Sequence, residues 1–207
     1  KKIDNMLHGK ILWSEYPHAE ISDIDTSNAE KMPGVAAVVT AGDIPGKNIA
    51  GFVVRDQPAL PEDRVRHIGD LVASVFAETP EQAQAAVEQI QVNYQELPGV
   101  FSPQEASKPD AGQLYPSGNL SSHHRIERGD VEKGFEQSAV VIEDTYYTPI
   151  IDQGFLEPEA GLAYPSPDGG VTVEIGSQNV FGDWDQLTDI LALPKEKIRV
   201  TPRSSAA

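Results

Sequence analysis

The sequence predicts an α+β chain, and three stretches carry that expectation. Leu71 to Ala77 reads as a buried strand, Thr79-Pro80-Glu81 as a helix start, and Ile90, Val92 and Tyr94 as a return to period two. Val171, Val173 and Ile175 alternate with Thr172, Glu174 and Gly176, the pattern of a half-buried strand. Directly after it Val180, Trp184, Leu187 and Leu191 fall at helical spacing. Val35 to Thr40 is a further β-branched run that suits a buried strand.

Taken in order, His8 to Trp13 is the first expected strand, and Asp25-Thr26 opens a short helix that Pro33-Gly34 stops. Between Ala41 and Asp63 the density of Gly, Pro and Asp predicts an irregular excursion, with any strand near Phe52-Val53-Val54 being short. The helix after Thr79 has a capping residue, proline at its first position and an acid in its first turn; Ala83, Ala86 and Val87 form its inward stripe. The strand, helix, strand run of this region predicts a sheet covered on one side.

Ser102 to Asn119 carries Pro103, Pro109, Pro116, Gly112 and Gly118 without periodicity and reads as a linker or surface crossing. A division there gives domains 1–110 and 111–207. Beyond it, Ser121 to Glu127 and Val140 to Thr148 are predicted strands around a short helix at Val131 to Gln137. Leu156 to Tyr164 and Val171 to Ile175 should pair through the turn from Ser166 to Gly170. Pro194 should end the helix that follows, with Ile198-Arg199-Val200 as the next strand.

A chain of 207 residues can bury roughly 70% of the surface its unfolded form exposes, enough for a sizeable core. With 32 Asp and Glu against 16 Lys and Arg, the formal charge is −16. That balance argues against a nucleic-acid partner or an anionic membrane, both of which need a basic footprint, and fits a cytoplasmic protein kept in solution by its charge. The absence of cysteine removes disulfides, iron–sulfur ligation and thiolate metal sites from this chain. No apolar run follows Lys1-Lys2 as in a secretory signal, and none is long enough to span a membrane.

The chemical candidates are few. His123 and His124 are adjacent on a predicted strand and so point to opposite faces, which does not suit one metal. Asp183, Asp185 and Asp189 lie on a predicted helix rather than in a glycine-turned loop, and read as a solvated face. Glu157 and Glu159 share one side of a strand and could serve acid/base work. No G-x-G-x-x-G or Walker sequence is present. Gln178, between strand and helix, is either a turn residue beside a helix cap at Ser177 or Asn179, or an amide aimed into a crevice at the carboxyl end of a sheet.

Several segments bear on that choice. Gly129-Asp130-Val131-Glu132-Lys133-Gly134-Phe135, Phe155-Leu156-Glu157-Pro158 through Ala163, and Gly176-Ser177-Gln178 occur in that order. The series resembles the large, molybdenum-binding subunit of the xanthine dehydrogenase and aldehyde oxidase family. Upstream, Gly9 to Ser14 with Tyr16-Pro17-His18-Ala19, Met32 to Val35, Val65 to Asp70 with Val72-Ala73, and Tyr94 to Pro98 resemble the α/β hammerhead domain of the same subunits. The resemblance covers about Gly9 to Pro202 and departs at Gln153, where the family often has histidine.

The resemblance implies a hammerhead-like α/β domain followed by the partial start of a molybdopterin-binding domain. It implies hydroxylation of an aldehyde or N-heteroaromatic carbon with water-derived oxygen, using molybdenum–molybdopterin. Partners would be the remainder of the molybdenum subunit and iron–sulfur and FAD components. Gln178 would be the cofactor contact, donating a hydrogen bond toward the apical ligand of the molybdenum centre. Glu157 would then belong to the pocket wall. The family's glycine-rich loop with its phenylalanine and its general-base glutamate are expected after Ala207, so no catalytic residue and no direct metal ligand is expected within this chain, and the chain alone should not turn over substrate. The alternatives are a hammerhead fold reused as a non-enzymatic assembly module, or an enzyme of another class using Glu157 and Glu159.

Overall fold

The structure is a computed structural model that describes residues 3–152, 154 and 160–202. In chain order its first part runs β1 (His8–Trp13), β2 (Ala19–Asp25), α1 (Ser27–Glu30), β3 (Val35–Val39), β4 (Arg64–Val65), β5 (Leu71–Ala77), α2 (Pro80–Val87) and β6 (Gln91–Glu96). The remainder holds α3 (Pro103–Ala106), α4 (Val131–Glu136), β7 (Gly161–Pro165), β8 (Val171–Ile175), α5 (Val180–Leu191) and β9 (Ile198–Pro202). This mixture of short sheets and helices is an α+β fold.

The buried run of β5 takes the centre of one sheet, with β1 and β3 antiparallel on its two sides. Helix α2 starts as its residues dictate: Thr79 accepts from the Gln82 amide, Pro80 needs no partner for a missing N–H, and Ala83, Ala86 and Val87 are buried. Ala73 and Val75 of β5 pack with Ala29, Ala86, Val87 and Ile90. Ala19, Val65 and Val72 form a second cluster, and Leu12, Ile24 and Val92 touch both, so the two are continuous. Full burial of a side chain the size of Val65, Val72 or Val75 stabilises the fold by about 1.5–3 kcal/mol.

The strand after α2 does not rejoin the sheet it left, contrary to the one-sheet expectation. Both edges of β5 are already occupied, so β6 pairs instead with β2, which also carries β4. Strand β2 escaped the periodicity reading because its register shifts between Ile21 and Asp23. That bulge puts Ile21 and Ile24 three residues apart, amid Glu20, Asp23 and Asp25, and breaks the alternation by which a strand is recognised.

The stretch read as a linker is tied down by side-chain hydrogen bonds. Asn119 accepts from the Leu114 amide at 2.9 Å and donates to the carbonyls of Gly112 and Ala106 at 2.9 and 3.2 Å. Arg66 donates to the Leu114 carbonyl at 2.8 Å and lies over the Tyr115 ring, strapping this stretch to the first part.

In the second part β7 pairs antiparallel with β8 through the expected turn, closed by Ser166 N to Gly170 O at 2.8 Å. Strand β9 lies parallel to β8, so α5 is the crossover between them. Residues 156–159 of the longer predicted strand lie outside the described residues. Residues 121–127 and 140–148 are a correction: they run without strand pairing, and Ile126, Ile142 and Tyr147 are exposed. A strand needs a neighbour for its N–H and C=O groups, and no described strand lies alongside them.

Tyr94 offers a test of the packing between β2 and β6. Its ring meets that of Tyr16 at 4.9 Å between centroids, and burial pushes its phenol above the ordinary value. The unfolded chain therefore loses this proton first as pH rises through about 10, and stability held below that pH is lost as the pH climbs toward the folded-state value. Tyr94→Phe should flatten this alkaline loss in urea titrations at about pH 9 to 11. An unchanged slope would assign the loss to other groups.

Candidate functional site

Strand β8 delivers the chain to Gly176 and Gln178, and the order of burial along it reverses the expected one. Thr172 and Glu174 are buried, whereas Val171, Val173 and Ile175 are only partly covered. The polar residues tolerate burial because they are bonded: Thr172 shares a hydrogen bond with Ser166 at 2.7 Å, and Glu174 accepts from the Tyr164 hydroxyl at 2.7 Å. Helix α5 covers the opposite face, leaving a gap of about 270 Å³ bounded by Val173, Ile175, Leu187 and Ile190 among others. Its stripe of Val180, Trp184, Leu187 and Leu191 is accordingly half-buried rather than enclosed.

The junction has a clear division of labour. Asn179 is the N-cap, its side chain accepting from the Gly182 amide at 3.1 Å. Ser177 accepts from the Asn179 amide at 3.0 Å and donates to Asp183, closing the turn. Gln178 takes no part in this. Its side chain is exposed and makes no hydrogen bond among the described residues. The geometry thus separates the cap from the amide and leaves two donors and one acceptor of Gln178 facing outward. Phe181, on the first turn of α5, is 76% exposed beside it.

The far end of α5 is held by the first part of the chain. The helix stops at Leu191, with Ala192 in the left-handed region at φ 50, ahead of the expected stop at Pro194. Its last carbonyls have no partner within the helix. Lys47 N donates to the Asp189 carbonyl at 2.9 Å and Gly46 N to that of Ile190 at 3.0 Å. Gly51 N donates to the Gln186 side chain at 2.9 Å. Lys47 and Arg55 pair with the two oxygens of the Asp189 carboxylate at 3.1 and 3.0 Å.

Two glycines permit this approach. A Cβ on Gly46 would sit 2.0 Å from the Asp189 carbonyl oxygen. Gly51 has φ +136, and a Cβ there would meet the Val54 carbonyl oxygen at 2.1 Å.

The three helix aspartates are a second correction, since none is simply solvated. Asp189 is the target of the clamp, Asp183 accepts from Ser177, and Asp185 pairs with Lys195. The hydrogen bond from Lys195 holds the Asp185 carboxyl below its ordinary range. Exposed ion pairs of this kind contribute little to stability, because water and salt screen them. An acid in the last turn opposes the helix dipole and α5 carries no basic residue there; Lys47 and Arg55 supply the missing positive charge from another segment. That imbalance was the one sequence signal for the clamp, although it does not say where the cations lie.

The other candidates are not gathered here. His123 and His124 are exposed on unpaired chain, and no cluster of His, Cys, Asp or Glu suited to a metal occurs among the described residues. His67 contacts buried Asp70 at 3.2 Å, and Asp70 also accepts from the Arg66 and His67 amides, a turn-holding arrangement. Glu157, Glu159 and Gln153 lie outside the described residues. No described helix is long and apolar enough to cross a membrane.

The profile of the aldehyde oxidase and xanthine dehydrogenase a/b hammerhead domain matches residues 1–98, and that of the molybdopterin cofactor-binding domain matches residues 114–205. The chain belongs to the molybdenum-binding subunits of the xanthine dehydrogenase and aldehyde oxidase family.

It is 49% identical over 195 residues to a probable xanthine dehydrogenase subunit of Bacillus subtilis, covering 94% of this chain and 26% of that protein. It is 38% identical to the nicotinate dehydrogenase large molybdopterin subunit of Eubacterium barkeri, covering 95% of this chain and 46% of the relative. The aldehyde oxidoreductase of Desulfovibrio gigas superimposes with a TM-score of 0.89 at 27% identity, over 97% of this chain and 23% of that structure. The chain therefore spans less than half the length of each.

The separation of cap from amide has a direct consequence for stability. Asn179→Ala should cost about 1 kcal/mol through the lost cap, whereas Gln178→Ala should change stability by less than about 0.5 kcal/mol. Urea unfolding of the two variants checks this; a Gln178→Ala cost equal to that of Asn179→Ala would make Gln178 a structural residue.

Proposed function

We propose that this chain forms part of a molybdenum hydroxylase that oxidises an aldehyde or an electron-poor N-heteroaromatic carbon with oxygen derived from water. Its division near residue 110 would separate a hammerhead-like unit from part of a molybdopterin-binding unit, working in the cytoplasm. The observation that carries this reading is Gln178, an amide presented outward after the end of β8 with no hydrogen-bond partner among the described residues.

The residues present fit one side of the cofactor's surroundings. Gln178 would hold it there as a hydrogen-bond donor, and the neutral amide neither competes for the metal nor adds charge beside it. When bound, molybdenum–molybdopterin supplies the redox chemistry at the substrate carbon. The chain's part is to aim the Gln178 donor and to keep the junction rigid through Ser177, Asn179 and Asp183. The Gln178 amide is neutral and takes no proton. The proton acceptor would come from the remainder of the subunit, and the chain by itself would be inactive. Electrons would pass to iron–sulfur and FAD partners, in keeping with a chain that has no cysteine for a cluster.

In the complete, assembled enzyme Gln178→Ala should lower kcat by roughly ten- to a hundredfold, the loss of one hydrogen bond of about 1.5–3 kcal/mol, with molybdenum content unchanged. Unaltered kcat would contradict the assignment. The isolated 207-residue chain should show no hydroxylase turnover; activity reconstituted in it with cofactor alone would contradict the proposed dependence on further protein.

A further inference from the structure

We infer that Asp189, through its clamp by Lys47 and Arg55, is a positioning residue for Gln178, so that the hammerhead excursion sets the geometry of the cofactor contact. This rests on the reading of Gln178 given above. Helix α5 is a rod of 12 residues with Gln178 just before one end and Asp189 in the last turn of the other. The helix packs mainly against β9, and an open gap of about 270 Å³ bounded by Val173, Ile175, Leu187 and Ile190 leaves its β8 side unfilled, so that side does not fix its tilt. The contacts of Ser177, Asn179 and Asp183 are internal to the junction and move with it.

Three ties to other elements remain. Trp184 donates to the Ile198 carbonyl of β9 at 2.9 Å, Asp185 next to it pairs with Lys195, and the far end is held by Gly46, Lys47, Gly51 and Arg55. Trp184 lies about 9 Å along the axis from Gln178 and about 7.5 Å from Asp189. A helix pivoting at Trp184 would therefore carry a shift of about 1 Å at Asp189 into a shift of similar size and opposite sense at Gln178. Misplacement on that scale is enough to impair catalysis.

The excursion is itself stiff enough to act as the fixed end. Asn48 exchanges two hydrogen bonds with the Leu60 backbone at 2.6 and 3.0 Å, and Ala50 pairs with Gln57. Leu60 and Pro61 are buried in the first part. The clamp thus connects the hammerhead core to the helix that follows Gln178.

The test uses the complete enzyme with Asp189→Asn, the double variant Lys47→Ala/Arg55→Ala, Gln178→Ala, and their combinations. The cations are exposed, so their removal leaves folding intact even if Asp189→Asn assembles poorly. Readouts are kcat, KM, bound molybdenum and the Mo(V) electron paramagnetic resonance spectrum. The clamp variants should lower kcat about three- to tenfold with KM and metal content unchanged, alter the Mo(V) spectrum, and add nothing on the Gln178→Ala background. A charge reversal, Asp189→Lys with Lys47→Asp and Arg55→Asp, should restore most of the loss. Clamp variants with wild-type kcat and spectrum, beside an impaired Gln178→Ala, would overturn the positioning role alone. A clamp defect that persists in full on the Gln178→Ala background would overturn it too. A silent Gln178→Ala would instead remove the cofactor reading and this inference together.

Discussion

The hydrogen bonds from Gly46 and Lys47 to the terminal carbonyls of α5 are the contact on which the arrangement of the two parts depends. A helix must satisfy its last carbonyls with caps, water or another segment. Here another segment does so, from more than 130 positions earlier in the chain, and brings the cations that the acidic last turn lacks. The individual ion pairs are weak because they are exposed. Their value is geometric: with two main-chain bonds and the Gln186 contact, they leave one docked position for the helix end.

That constraint organises the neighbouring elements. The excursion between β3 and β4 would be a loose loop without Asn48 and the Ala50–Gln57 bridge, and it would have no anchor without Leu60 and Pro61 in the core. On the other side, α5 joins parallel strands β8 and β9, so its position also sets where β8 releases the chain. The amide of Gln178 lies at that release point. The relatives of this chain are molybdopterin-dependent oxidoreductases.

Much of the secondary structure was legible because burial writes itself into period. Strands β5 and β6 and helix α2 show it most plainly, and Thr79-Pro80 names its own helix start. What escaped has physical reasons. The bulge at Ile21 hides β2, and amide side chains at Asn48 and Asn119 order loops that composition alone reads as irregular. The polar residues of β8 are buried because Ser166 and Tyr164 bond them, which a hydropathy pattern cannot register. Residues 121–127 and 140–148 have strand-like sequences, but sequence does not supply the neighbour that a strand requires. At the site, the sequence offered Ser177 or Asn179 as the cap; the structure gives the cap to Asn179 and leaves Gln178 exposed beside it. The cation-free last turn of α5 hinted at a partner, but the clamp's location was not legible, since nothing local marks Gly46 as the residue that must lie against the end of α5.

This long-range cap is a hydrogen-bonded contact that fixes α5. Amide hydrogen exchange, resolved by residue in the folded chain and in Gly46→Ala, measures it. Slow exchange is expected at Gly46 and Lys47, with a joint loss of protection there and in the last turn of α5 when the added methyl enters the space now filled by the Asp189 carbonyl. Fast, loop-like exchange at both amides in the parent chain, with α5 still protected, would contradict it.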